Sequence, residues 1–165
     1  MKSCAYHEAG HTIAARHFGF TVEYTTIKEE VSPFEATKTL RLKDYFDEEE
    51  MMFGKLKVKG KDSPSRQDYK IFYSILMVKL AGYTAVELAD KNMVSEYTHY
   101  DEDRAFGLNI LNYLEKENAG KKYEQMRRIV KKILRRRWKE VENLAHRLLE
   151  EETVYFSSTS ADTSK

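Results

Sequence analysis

Residues 7–11 read His7-Glu8-Ala9-Gly10-His11. On a helix, positions i and i+4 share a face about 6 Å apart along the axis, so His7 and His11 point two imidazoles at one metal ion. Glu8 is the next residue round the helix. There it sits beside the metal without ligating it, placed to take a proton from a water that the metal has made acidic. The chemistry that these residue types at this spacing suit is metal-assisted hydrolysis, with Zn2+ the expected ion. The competing reading is a surface helix that happens to carry two histidines and a glutamate.

The helix that must position the motif is legible on both sides of it. Ala5, Ala9, Ile13, Ala14 and Phe18 continue small and apolar residues at helical spacing, and Gly19 stands where a C-terminal cap is expected. A helix from about Lys2 to Phe18 with a buried face follows. Gly10 inside it costs about 1 kcal/mol relative to Ala, which points to close approach by another element. Cys4, three residues before His7, reads as a small buried residue rather than a ligand. As the single cysteine it excludes an internal disulfide and fits a reducing compartment.

A catalytic zinc site takes three protein ligands and keeps a fourth position for water, so one more ligand must come from elsewhere. His17, six residues after His11, reproduces the metzincin spacing His-Glu-x-x-His-x-x-Gly-x-x-His, but Ala14 stands where that pattern turns at Gly. If the helix runs on through Ala14 and Ala15, His17 lies about 15 Å along the axis from His7 and points elsewhere. The other candidates are Glu87 and the acidic group Asp101-Glu102-Asp103, which follows His99.

Four segments, in order, resemble the peptidase domain of the FtsH-type ATP-dependent zinc metalloproteases. Ala5-Tyr6-His7-Glu8-Ala9-Gly10-His11 is close to that family's metal-binding helix, and the run from Leu80 to Leu88 (LAGYTAVEL) is similar to its LGGRxAEEL segment. Tyr100-Asp101-Glu102-Asp103-Arg104-Ala105 resembles its NDLxxAT segment, and the run from Leu144 to Thr153 resembles its closing helix. The resemblance implies Asp101 as the third zinc ligand, since it stands four residues before Ala105, and Glu87 as a residue that orients a ligand. It implies a peptidase acting on unfolded or extended polypeptides, with Glu8 as the catalytic base. Ala81, Tyr83, Val86 and Phe106 depart from the family pattern, and residues 28–66 align with none of its substrate-side strand. The chain contains no G-x-x-x-x-G-K-[S/T] phosphate loop, so folded substrates would need a separate unfoldase or adaptor. The sequence is either a stand-alone domain or a segment of a longer protein. A domain that holds the metal but is catalytically idle, serving as a binding or regulatory module, is the main alternative.

The length of 165 residues suits one domain, over residues 1–156, with the Ser/Thr-rich 157–165 expected to be a disordered tail. A net charge of +1 supplies no global field for nucleic acid. No run of 18 apolar residues spans a membrane. The N-terminus lacks a signal peptide, so the expected location is cytoplasmic. The fold class is mainly α with a small β-sheet or hairpin. Strands are expected at Thr21–Ile27, Thr37–Lys43 and Lys55–Lys59, followed by a loop over residues 60–65. Helices are expected from Arg66 to the break at Asp90-Lys91-Asn92, from Asp101 to Glu117 with Asn118-Ala119-Gly120 ending it, and from Lys121 to Glu152. The basic run Arg127–Trp138 invites a nucleic-acid reading. Its apolar residues fall at helical spacing, however, which is the ordinary pattern of an amphipathic helix with one solvated side, and no nucleic-acid partner is expected.

Overall fold

Ala5, Ala9, Ala14 and Ala15 keep the first helix thin, and neighbours close on it from several sides. In the computed structural model, which describes residues 1–28, 63, 65–96, 107, 108, 111, 112 and 115–156, this helix is α1 (Lys2–His17), and every residue from Ala5 to Ala15 is buried. It ends as its sequence foretells. Gly19 takes φ +81°, its N–H bonds to the Arg16 carbonyl (3.2 Å), and the Phe20 N–H reaches back to the Ala15 carbonyl (2.9 Å). That pair of bonds is the Schellman motif, which needs a left-handed residue where Gly19 stands.

The second helix, α2 (Arg66–Ala89), starts at a capping box. Ser65 and Asp68 exchange hydrogen bonds, with the Asp68 N–H on Ser65 Oγ and the Ser65 N–H on Asp68 Oδ2. It stops at Asp90, whose carboxylate accepts the Asn92 N–H (2.9 Å), the break expected at Asp90-Lys91-Asn92. Lys91–Glu96 then form a 3-10 stretch. By length and composition alone α2 is long and apolar enough to cross a membrane, a test that the core helix of a soluble protein also passes. Half of that apolar window is buried inside the fold, because α2 packs between α1 and the next helix and so is apolar on two flanks.

Residues 107, 108, 111, 112 and 115 are helical, and Lys116–Asn118 form a 3-10 turn. The rest of the helix expected from Asp101 to Glu117 lies outside the described residues. Ala119 and Gly120 open the next helix instead of separating two: α3 spans Ala119–Arg136 and α4 spans Trp138–Glu151. The helical region expected over residues 121–152 is thus two helices that meet at Arg137. A straight helix of that length would extend about 48 Å and carry one half past the core. At the corner the Arg137 guanidinium donates to the Ile13 carbonyl (3.1 Å) and binds Glu140 through two hydrogen bonds, while Trp138 stacks on Tyr6 of α1. Both halves therefore pack against α1.

The strand expected at Thr21–Ile27 is β1 (Tyr24–Thr26), and its partner is β2 (Thr153–Tyr155), which the sequence reading did not anticipate. They pair antiparallel, with Thr25 opposite Val154. Glu152, at φ 56°, turns the chain out of α4, and its carbonyl accepts the Ile27 N–H (2.9 Å). The hydroxyls of Thr12 and Thr25, both buried and 2.6 Å apart, tie the sheet to α1. The mainly helical class with a small sheet is therefore the observed one. The strands expected at Thr37–Lys43 and Lys55–Lys59, and the tail from residue 157, lie outside the described residues.

Candidate metal centre

His7, Glu8 and His11 are 4%, 3% and 7% exposed, in a helix whose other buried positions are mostly small or apolar. Burying three ionisable side chains is costly unless each finds partners. One ligand atom from each lies within 4.8 Å of the other two, and the two imidazoles share a hydrogen bond. The helical spacing does this, as the sequence predicts. The two rings stand edge to face at 88°, with centroids 4.3 Å apart.

The hydrogen bonds fix where the protons are when both rings are neutral. His11 Nδ1 lies 2.7 Å from the Val78 carbonyl of α2. A carbonyl only accepts, so His11 carries its proton on Nδ1 and leaves Nε2 with a lone pair. His7 Nε2 lies 2.7 Å from that lone pair and donates to it. His11 thus has the tautomer and the backbone-anchored orientation of a metal-ligating histidine.

The α2 backbone forms the other wall. A Cβ added at Gly82 would meet His7 Cε1 at 2.5 Å, His11 Nε2 at 2.6 Å and His7 Nδ1 at 2.7 Å. Only glycine leaves that space beside the ring nitrogens. Gly10 plays the matching part from α1, where a Cβ would sit 2.5 Å from the Ala81 carbonyl oxygen and 2.6 Å from Ala85 Cβ. The close approach expected from Gly10 is therefore real. Val78, Gly82 and Ala85 share one face of α2, three or four residues apart, and that face lies on the motif.

The group could hold a metal ion, and zinc would require a small adjustment. Imidazole nitrogens at 2.0–2.1 Å from a tetrahedral ion stand about 3.3 Å apart, so the pair must open by about 0.6 Å and His7 must move its proton off Nε2. Imidazole nitrogens are also donors that a borderline-soft divalent ion accepts.

The remaining candidates separate. His17 is exposed at the end of an unbroken α1, its ring against Phe18, and is not part of the group. Cys4 is half-buried and is not part of it either. Asp101, with His99 and Asp103, lies outside the described residues. Glu87 takes a different role from the ligand-orienting one that the resemblance implies. It is five residues past Gly82, so it projects from another flank of α2, where Arg127 Nη2 (3.0 Å) and Lys131 Nζ (3.2 Å) of α3 bind its carboxylate. Burial alone would raise its pKa, but the hydrogen bonds and charges of Lys131 and Arg127 outweigh burial and hold it below the ordinary value.

Two contributors went unseen in the sequence. Val78 acts through its backbone carbonyl, which no side-chain pattern reveals. Gly82 carried a signal, a glycine inside a strongly apolar helix. No family model and no curated protein matches the chain.

Proposed function

We propose that His7 and His11 hold a zinc ion, with Asp101 as third ligand, and that the chain hydrolyses peptide bonds of unfolded or extended polypeptides. The observation that supports this reading most is the buried convergence of two imidazoles and one carboxylate within 4.8 Å, beside an α2 backbone cleared at Gly82. Asp101 enters from the resemblance alone. A bound zinc ion would supply Lewis acidity, bringing the pKa of water towards about 7 and polarising a carbonyl.

The chain's own residues do the rest. Val78 holds the His11 ring in place through Nδ1. Glu8, adjacent to His7 and itself buried, accepts the proton of the attacking water and passes it to the leaving amine. Folded substrates would reach the site through a separate unfoldase or adaptor.

One observation favours a second reading, in which the domain binds metal but is catalytically idle. Glu8 is 3% exposed, and a polypeptide must reach it for hydrolysis. Glu8→Gln separates the two readings. The peptidase reading expects the zinc-loaded wild type to cleave casein, and the variant to keep the metal and lose cleavage. Equal cleavage by both proteins would overturn the mechanism, and cleavage by neither with zinc bound would favour the idle module.

A further inference from the structure

Residues 125–139 contain eight lysines and arginines and no acid, in a chain whose net charge is only +1. Cations and anions are therefore segregated, and α3 carries the basic share. Its core side is Tyr123, Met126, Val130, Ile133 and Leu134. At 100° per residue, Arg128, Lys132 and Arg136 form one row on the opposite side, and Lys131 and Arg135 form a second row beside it. These five side chains line a shallow open depression of about 480 Å³. Neighbouring cations are occupied: Arg127 and Lys131 hold Glu87, and Arg137 holds Glu140. Arg128, Lys132, Arg135 and Arg136 make no ion pair with any described residue.

We infer that this face of α3 binds the phosphate backbone of a nucleic-acid duplex without reading its sequence. The solvated side of the amphipathic helix and the docking surface are the same side. With Lys131 held by Glu87, the available cations are Arg128, Lys132 and Arg136 in one row and Arg135 beside it, a spread that suits phosphates flanking a groove, and a helix about 10–12 Å across matches a major groove about 12 Å wide. Three of the five cations are arginines, whose planar forks pair with phosphate oxygens bidentately. Phosphate contacts carry no sequence information, so binding through these cations is expected to be independent of sequence. An anionic membrane is the weaker fit. Interfacial helices bury an apolar face in the lipid, whereas the apolar side of α3 faces the core and its one exposed large hydrophobic is Ile129 at 41%. This inference is independent of whether α1 holds a metal.

The test is fluorescence anisotropy of the full chain with a labelled, mixed-sequence DNA duplex of about 20 base pairs. Neutralising four phosphates gives a log–log salt slope near −3.6, so binding should weaken about 150-fold between roughly 50 and 200 mM salt. The quadruple variant Arg128→Gln, Lys132→Gln, Arg135→Gln, Arg136→Gln should lose at least tenfold at the lower salt with an unchanged circular dichroism spectrum. Arg147→Gln, which removes one positive charge elsewhere, should bind like wild type. The inference is overturned if wild type does not bind, if the quadruple variant binds as well, or if Arg147→Gln loses as much. It is also overturned if phosphatidylserine vesicles strip the protein from the duplex.

Discussion

Replacing Gly82 by Ala is the perturbation that probes the site without touching a ligand. The added Cβ would sit 2.5–2.7 Å from three ring atoms of His7 and His11, where ordinary contact begins at 3.4 Å. Both rings must therefore retreat by about 0.7–0.9 Å, an overpacking that costs about 1–3 kcal/mol. His11 cannot retreat freely, because Val78, one turn earlier on the same helix, holds its Nδ1 at 2.7 Å. Against this, Ala is about 1 kcal/mol better than Gly in a helix interior, so the net loss of stability is about 0–2 kcal/mol and the chain still folds. The metal suffers more. Rings pressed aside by the added methyl are no longer free to settle into the positions zinc requires, so affinity should fall about 10–100-fold. Chelator competition measures the affinity, and urea unfolding of the metal-free protein measures the stability. Gly120→Ala is the control, since nothing lies within 4 Å of the Cβ it would add. Gly82→Ala with wild-type zinc affinity would refute the reasoning about the α2 wall.

Glu87→Gln should destabilise the α2–α3 contact by about 1–2 kcal/mol, since it removes a carboxylate that two half-buried cations share. The pH dependence has a definite sign. The folded-state pKa of Glu87 is lowered, so its contribution is fully present above its unfolded value of about 4.3 and is lost as pH falls through the lower folded value. The wild-type advantage over Glu87→Gln in urea melts should shrink in that acid range, and an advantage that grows there would contradict the assignment. For the third ligand, Asp101→Ala should weaken zinc sharply while His17→Ala leaves it nearly intact. A chelator titration showing the reverse would return the site to the metzincin spacing.

The parts of the fold set by local rules were legible. The Gly19 cap, the start of α2 at Ser65 and its end at Asp90 each follow from a residue that satisfies its own neighbours' backbone groups. The parts set by distant partners were not. The bend at Arg137 exists because Trp138 stacks on Tyr6 and the guanidinium reaches Ile13, more than 120 residues away. β2 exists because Thr25 finds Val154. The site divides along the same line. Helical spacing brings His7, Glu8 and His11 together from five consecutive residues, but the tautomer of His11 is set by a carbonyl on another helix. Glu87 shows the converse error, since a segment-level likeness does not say which flank of α2 a carboxylate leaves by.

The central claim is that the buried His7–Glu8–His11 group is a zinc site. Elemental analysis of the purified chain, dialysed against zinc and freed of loose metal, tests it most directly. The account predicts about one zinc per chain in the wild type. His7→Ala and His11→Ala should lose most of it, and Glu8→Gln should retain it. A wild type that holds no zinc, or both histidine variants at full occupancy, would contradict the account.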